Sequence, residues 1–311
     1  MAVTRFGVFL RALLALPIMW SIGATSAAAA GASANAMHVT ILYDAFGKSS
    51  ALKKDWGYSA FIEYAGKRIL FDTGDDPQIL ADNAKAKGVD LSRLDFVVLS
   101  HRHGDHMGGM DYLLHVNPRV TIYAPKEGFG VYGSSLPGTF YRRDAELPTE
   151  QRYFDGSPPE TMRFGSAWPH AHFELVDNSR DVAPGIHLIS LVSDKPGTLE
   201  LRELSLAIET PDGLVVVVGC SHPGIGKILE AARAIDMHVH LVMGGLHLVT
   251  ASDSDIADVV TGLHDTAKVD FIAPGHCTGE PAFAALRKAF GDHYLYAGLG
   301  SQLTLDRMKS D

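Results

Sequence analysis

Short apolar runs alternate along this chain with amphipathic segments, which is the pattern of alternating strands and helices. Largely apolar runs, typical of buried strands, occur at residues 94–99, 214–218, 240–243 and 269–273. Further strand patterns bounded by turn residues occur at 38–43, 58–64, 68–71, 119–124, 186–192 and 204–209. Helical patterns follow several of these strands, at 77–88, 110–116, 223–234, from 253 onward and at 281–291. The alternation predicts an α/β fold.

One long segment interrupts this regularity. From about residue 125 to 185 the periodicity fails, and glycine, proline and aromatic residues become frequent. Long segments without regular structure inside a compact domain are usually lids or binding loops. We therefore predict an aromatic-rich insertion that covers a substrate.

The first 36 residues have the pattern of a secretory signal peptide followed by a small-residue linker. Arg5 and Arg11 accompany an apolar stretch at 12–22, and alanine-rich sequence with several possible cleavage sites follows at 24–36. An uncleaved anchor is the alternative. Cleavage would leave a domain of residues 37–311 in the periplasm or outside the cell. No other apolar run is long enough to span a bilayer, so we expect no membrane contact after cleavage.

The net charge limits the class of binding partner, and the positions of the two cysteines indicate their role. The 311-residue chain has a formal net charge of -9 and no lysine or arginine run, which argues against a nucleic-acid partner. Export to an oxidising compartment favours cysteine pairing. However, both cysteines, Cys220 and Cys277, lie beside histidines, which favours a place in a functional site. A disulfide between them is the alternative.

The candidate chemistry lies where predicted strands end. The segment 100–109, after the strand at 94–99, contains three histidines and an aspartate within six residues, and three later strands are each followed by a histidine. Strand ends at one edge of a sheet build one site, so we predict a binuclear metal site there. Imidazole and carboxylate suit zinc, iron or manganese. The predicted ligands are His101, His103, Asp105, His106, His222 and His276.

Two further residues have more than one interpretation. Six ligands are enough for a pair of metals, so His247 is not needed as a seventh. It has either a substrate-contacting or acid/base role or a packing role. Asp72 follows the strand at 68–71 and precedes Gly74. It is either a brace for a ligand histidine or an ordinary turn residue.

Five short motifs occur in an order that resembles the metallo-beta-lactamase superfamily. They are Leu-Phe-Asp-Thr-Gly at 70–74, the His-x-His-x-Asp-His signature at 101–106, Gly-Cys-Ser-His at 219–222, Gly-Gly-Leu-His at 244–247 and His-Cys-Thr-Gly at 276–279. The closer resemblance is to the branch of metal-dependent hydrolases similar to 7,8-dihydropterin-6-yl-methyl-4-(beta-D-ribofuranosyl)aminobenzene 5'-phosphate synthase. The chain differs from the commonest superfamily pattern after Val218, where Cys220 stands in place of a bridging aspartate.

The resemblance implies a four-layer αβ/βα sandwich with the metals at one edge. It also implies that one ion binds to His101, His103 and His222, the other to Asp105, His106 and His276, with Asp72 as a brace.

We therefore predict an exported metal-dependent hydrolase for a small-molecule substrate. Two divalent metal ions, zinc first and manganese or iron as alternatives, would supply a metal-bound hydroxide that cleaves an ester, lactone, amide or phosphodiester. Asp105 would accept a proton during turnover, and His247 would donate one or hold the substrate. The alternatives are an iron-dependent redox enzyme and a non-catalytic metal- or ligand-binding module.

Overall fold

A computed structural model of the protein describes residues 1–3, 36–127 and 130–305, with the backbone alone at 134–135 and 163–164. Apart from residues 1–3 and 36, the predicted signal peptide and linker lie outside the described residues. All the helices and strands below belong to one compact unit, Asn35–Asp311. Among the residues described, no helix has the length and apolar character needed to cross a membrane.

Two mixed β-sheets form the frame of this unit. The seven-stranded sheet contains β1 (Met37–Tyr43), β2 (Ser59–Tyr64), β3 (Lys67–Phe71), β4 (Phe96–Val98), β5 (Thr121–Pro125), β8 (His172–Val176) and β15 (Gln302–Leu305), in the order β15-β1-β2-β3-β4-β5-β8. The six-stranded sheet contains β9 (Arg180–Ala183), β10 (Ile186–Val192), β11 (Arg202–Thr210), β12 (Gly213–Val218), β13 (Val239–Gly245) and β14 (Phe271–Gly275), in the order β14-β13-β12-β11-β10-β9. Strands β6 (Ser134–Pro137) and β7 (Thr161–Phe164) form a separate two-stranded antiparallel sheet.

Within the described residues, six α-helices accompany the sheets, and two of them begin at a side-chain cap. The helices are α1 (Pro77–Ala86), α2 (Gly104–Met107), α3 (Met110–Val116), α4 (Ile225–Ala232), α5 (Asp253–Thr261) and α6 (Glu280–Phe290). The Asp76 side chain accepts hydrogen bonds from the first turn of α1, and Ser252 and Asp255 form a capping box at α5. Such caps satisfy backbone N–H groups that a helix leaves without partners.

Strand β12 shows how one apolar run builds two cores. Val215 and Val217 pack between the sheets with residues such as Ile69, whereas Val216 on the opposite face packs with Ile228 of α4. This division follows the two-residue period of a strand. A third core lies between the seven-stranded sheet and the helices α1 and α3. The predicted α/β class and the four-layer sandwich with outer helices are confirmed.

Parallel pairing brings the ends of β12, β13 and β14 to one edge of the six-stranded sheet. Val217 pairs with Met243, which pairs with Ala273, so the three strands end almost level. The end of β13 passes close to its neighbour, since a Cβ on Gly244 or Gly245 would collide with the carbonyl oxygens of residues 218 and 219. In the other sheet β3 and β4 are also parallel. These strand ends position the loops described below.

The irregular segment is shorter than the sequence predicts. Two edge strands, β8 and β9, lie inside the range 125–185, and only about 126–171 lies between the sheet strands β5 and β8. Both strands are largely exposed or half-buried. Edge strands of this kind lack the continuous apolar run that marks a buried strand, so their sequence resembles a loop. For the same reason the pattern missed β15, another short edge strand.

Candidate metal centre

Three histidines from the two sheets converge to form a first ligand group. The Nε2 atom of His101 lies 3.0 Å from Nδ1 of His103 and 3.3 Å from Nε2 of His222. His101 and His103 follow β4, whereas His222 follows β12. The ligand atoms lie within 4.8 Å of one another, a spacing compatible with one shared metal ion.

A second ligand group contains two histidines and a carboxylate. Nε2 of His106 lies 3.1 Å from Nε2 of His276, which lies 3.3 Å from Oδ2 of Asp105. Asp105 and His106 belong to the short helix α2, and His276 follows β14. The structure thus brings the six predicted ligand residues together. The two sets of three that the resemblance implies are among several overlapping groups with suitable spacing, and other groups include Cys220.

Four strand ends around these groups adopt a left-handed backbone. Asp72, Ser221, His247 and His276 have φ values of 57°, 62°, 51° and 47°. Left-handed backbone costs free energy for residues other than glycine. Such residues are found most often at functional sites, where the surrounding structure imposes the conformation. Each of the four follows a strand, so the unusual backbone turns the chain sharply where a site residue must be presented.

Asp72 holds the two buried histidines that follow β4. Its Oδ2 atom accepts hydrogen bonds from Nδ1 of His106, at 2.7 Å, and from the Ser100 hydroxyl, at 2.7 Å. Since that hydroxyl donates to Asp72, it must accept from Nδ1 of His101, 2.8 Å away. Both Nδ1 atoms therefore carry a proton. In the neutral imidazoles the two Nε2 lone pairs point into the ligand groups.

Glu203 is a site residue that the sequence interpretation missed. This buried carboxylate on β11 accepts hydrogen bonds from the backbone N–H groups of Cys220, Ser221 and His222, at 2.9, 2.7 and 2.8 Å. It thereby fixes the left-handed turn that presents His222. Burial raises the pKa of Glu203 to about 7, although the three donors oppose this shift. In the sequence, the signal that could have identified Glu203 is a carboxylate that lies on a strand beside apolar residues.

Asp44 has a similar role at β14 and was also missed. Its buried carboxylate follows β1 and accepts from the backbone N–H of His276, at 3.0 Å, and from that of Ala45, at 2.7 Å. Burial raises the pKa of Asp44 to about 7. An aspartate directly after a strand is the same signal that singled out Asp72, so the sequence could have revealed it.

The ionisation of the ligands suits divalent cations. Burial and the neighbouring histidines lower the pKa of His101 well below its usual range, and burial and His247 lower that of His222 to about 3. Burial opposes ionisation of Asp105, but the hydrogen bond from His276 and the charge of His106 outweigh it and hold that pKa low. Neutral imidazoles and an ionised carboxylate are the forms that bind metals.

His106 requires a proton to leave before it can bind a metal. Burial lowers its pKa, but the Asp72 carboxylate outweighs burial and raises the pKa of His106 to about 9. A cation at this position would displace the proton from Nε2, because metal binding competes with protonation.

The arrangement as a whole fits two cations. Nitrogen lone pairs that face one another at 3.0 to 3.3 Å repel unless a proton or a cation lies between them. In addition, no lysine or arginine in the described part of the chain contacts the buried carboxylates of Asp44, Asp72 or Glu203. Buried charges are normally paired or bind metals. Cations in the two ligand groups would supply the missing positive charge.

Both cysteines lie among these ligands as free thiols. Sγ of Cys220 is 3.2 Å from Nε2 of His106 and 3.3 Å from Sγ of Cys277. The structure therefore places both cysteines in the site, as predicted, and contains no disulfide bond between them. Burial raises the pKa of Cys220, whereas hydrogen bonds from Cys220 and His247 lower that of Cys277 against the effect of burial.

His247 lies beside the first ligand group. Its ring centroid is 4.3 Å from that of His222, and the residue is exposed, unlike His222. A hydrogen bond to Cys277 raises the pKa of His247. Trp56, which the sequence interpretation did not single out, covers the second group with its ring centroid 5.2 Å from that of His276. An exposed imidazole next to the ligands is suited to contact a substrate, so the packing role is the weaker interpretation.

Comparison with known sequences agrees with this geometry. A family model described as the metallo-beta-lactamase superfamily matches residues 57–220. A protein of Methanocaldococcus jannaschii named 7,8-dihydropterin-6-methyl-4-(beta-D-ribofuranosyl)-aminobenzene-5'-phosphate synthase is 28% identical over 289 residues, covering 83% of this chain and 94% of that protein.

Solved structures show the same fold. A metal-dependent hydrolase of the beta-lactamase superfamily has a TM-score of 0.65 at 24% identity, covering 87% of this chain and 99% of its own. A diphosphatase from the PhnP family has a TM-score of 0.52 at 14% identity, covering 87% of this chain and 97% of its own. At these identities the likeness concerns the fold.

Proposed function

Because the chain belongs to the metallo-beta-lactamase superfamily, whose members typically bind divalent metals, we propose that it is a hydrolase with two metal ions. The substrate is a small molecule from which the enzyme cleaves an ester, lactone, amide or phosphodiester. The observation that carries the proposal is the convergence of six ligand atoms in two groups of three. The diphosphatase and the hydrolase of similar fold support the reaction class, and the name of the Methanocaldococcus relative makes phosphate esters the first substrates to test.

Each ligand group holds one cation. The first cation is held by His101, His103 and His222. The second is held by Asp105, His106 and His276. Zinc suits this set of imidazoles and one carboxylate, with manganese and iron as alternatives. When bound, the metals polarise the bond to be cleaved and make water in the site more acidic.

Two residues move protons in this proposal. The Asp105 carboxylate is held ionised beside His276 and accepts the proton of the attacking water. His247, exposed and next to His222, donates a proton to the leaving group or binds an anionic part of the substrate. Asp72, Glu203 and Asp44 act indirectly, since they hold ligands in place.

Metal content and hydrolysis test the proposal together. Elemental mass spectrometry of the purified protein should find about two zinc or manganese ions per chain. Turnover of phosphodiester, phosphomonoester and lactone substrates should be lost on chelation and return when metal is added. Iron without hydrolysis would favour the redox enzyme instead, and bound metal without turnover of any substrate would favour the binding module.

Variants connect the activity to the site. His103→Ala and Asp105→Ala each remove a ligand from a different group, so both should lose most activity and about one metal per chain. His115→Ala is the matched control, because His115 is exposed on α3 directly after the ligand loop. Full activity in either ligand variant would contradict the proposal.

We also propose that the protein is exported to the periplasm or beyond the cell. The support is the signal-like sequence of residues 1–36 alone. Mass spectrometry of the protein from its native host should find an N-terminus within or directly after the small-residue run at 24–36. A full-length chain in the cytoplasmic fraction would contradict export.

A further inference from the structure

The only two cysteines of the chain meet at the metal centre without being bonded. Cys220 follows β12 and Cys277 follows β14, and their Sγ atoms are 3.3 Å apart. Each residue is 3% exposed. Cysteines separated by 57 positions in sequence are thus held in contact by the fold.

The contact is possible because of a glycine between them. Strands β12 and β14 are not neighbours, since β13 lies between them. The sulfur atoms meet at the end of β13, where a Cβ on Gly245 would lie only 2.8 Å from Sγ of Cys277. Any side chain at residue 245 would disturb the thiol pair.

We propose that Cys220 and Cys277 are a peroxide-sensitive dithiol that closes to a reversible disulfide and thereby weakens metal binding. One sulfur attacks hydrogen peroxide, which breaks the O–O bond, forms a sulfenic acid and releases one water. The second sulfur then attacks the sulfenic sulfur, which forms the S–S bond and releases a second water. Two thiols are oxidised and one peroxide is reduced, and an added dithiol reverses the reaction.

The geometry favours the disulfide over further oxidation. A disulfide has an S–S distance of about 2.0 Å, so the two sulfur atoms must approach by only about 1.3 Å. A resolving thiol in contact with the sulfenic acid captures it before a second peroxide can arrive.

Closure of the disulfide would act on both ligand groups. Cys220 is two residues from His222, in the first group, and Cys277 is adjacent to His276, in the second. The approach of the sulfur atoms displaces the turns that carry both histidines, and Sγ of Cys220 moves relative to His106, now 3.2 Å away. This consequence for the metals rests on the proposed function, whereas formation of the disulfide does not.

Intact mass spectrometry of the purified protein, with its metals, tests the modification directly. After hydrogen peroxide, the chain should lose the mass of two hydrogen atoms and regain it with dithiothreitol. The variants Cys220→Ser and Cys277→Ser have no resolving thiol, so each should gain oxygen atoms or form a disulfide-linked dimer. A gain of oxygen in the wild-type chain, or no change in its mass, would overturn the proposal.

Metal content measured in the same samples tests the consequence. The oxidised wild-type protein should retain less than half of its metal after gel filtration, and reduction followed by metal addition should restore it. Unchanged metal content in a fully disulfide-bonded sample would overturn the link between oxidation and metal binding. Since neither measurement uses turnover, a wrong substrate class would not obscure the result.

Discussion

The two sheets hold their candidate metal ligands in different ways. On the seven-stranded sheet, His101 and His106 are fixed through their side chains, because Ser100 and Asp72 bind their Nδ1 atoms. On the six-stranded sheet, His222 and His276 are fixed through their backbones, because Glu203 and Asp44 bind their N–H groups. The buried Nδ1 atoms of those two histidines have no hydrogen-bond partner among the described residues.

This difference separates ring orientation from loop conformation. A hydrogen bond to Nδ1 sets the tautomer and rotation of an imidazole, so its loss should affect metal affinity. A hydrogen bond to a backbone N–H in a left-handed turn maintains the conformation of that turn, so its loss should affect stability first. Variants that remove support from the histidines of one sheet should therefore differ in their consequences from variants that remove it from the histidines of the other.

The largest effect should come from Asp72→Asn. Asparagine tolerates the left-handed backbone, but it has only one accepting oxygen. Asp72 uses both of its oxygens, Oδ1 for the backbone N–H of Ser100 and Oδ2 for the Ser100 hydroxyl and His106, so the NH₂ group of asparagine would face a donor on one side. We expect affinity to fall about 10- to 100-fold for each metal. Competition with a chromophoric chelator measures this, with Asp212→Asn in the β11–β12 turn as the control. A variant that binds metal like the wild-type protein would contradict the role of Asp72.

Glu203→Gln should mainly reduce stability. The Oε1 atom of glutamine can still accept from Cys220 and Ser221, but its NH₂ group would face the N–H of His222. We expect the free energy of unfolding to fall by about 1–3 kcal/mol in the metal-free protein, measured by urea denaturation. The control is Glu230→Gln on the exposed face of α4. If metal affinity falls while stability stays constant, the division between the sheets is wrong.

Ser100→Ala should affect only one of the two histidines that Asp72 serves. It removes the acceptor of His101 and leaves the direct bond between Asp72 and His106 intact. We expect about a tenfold loss of affinity, confined to the metal of the first group. Titration of the metal-free variant with zinc should then show one site close to normal. Equal weakening of both sites would show that Ser100 does more than orient His101.

Asp44→Asn should have the smallest effect. The carboxylate accepts from His276 and Ala45 through different oxygen atoms, so asparagine can keep its oxygen on His276 and lose only the bond from Ala45. Ala45 is exposed, unlike His222, so its N–H can bind water instead. We expect about 1 kcal/mol less stability in the same denaturation experiment. A loss as large as that of Glu203→Gln would mean that the turn at His276 depends on Asp44 more than the hydrogen bonds indicate.

Buried strands and clustered ligands could be predicted from the sequence because both leave local signals. The apolar run at 214–218 falls within β12, and the histidines after such runs converge in space. Parallel strand ends share one edge, so their residues meet although they are far apart in sequence. Asp72 was identified as a candidate for the same reason, as a polar residue at a strand end.

Glu203 leaves a weaker signal, because a carboxylate beside an apolar run is unusual but does not reveal what it binds. Glu203 lies within a strand, and nothing local indicates that its partners are the N–H groups of residues 220–222. Edge strands such as β8 and β9 were missed because partial exposure removes the apolar period. These features depend on tertiary contacts rather than on local sequence.

The composition of the ligand groups also constrains the order of folding. Each group takes two residues from the segment 101–106 that follows β4 and one, His222 or His276, from a turn that follows a strand of the six-stranded sheet. Neither metal position exists until the two sheets have docked, and contacts so distant in sequence form late. Metals bound as proposed would therefore not nucleate this fold. They would join its two halves once those halves have met, so the compartment in which folding is completed would decide which metal the protein acquires.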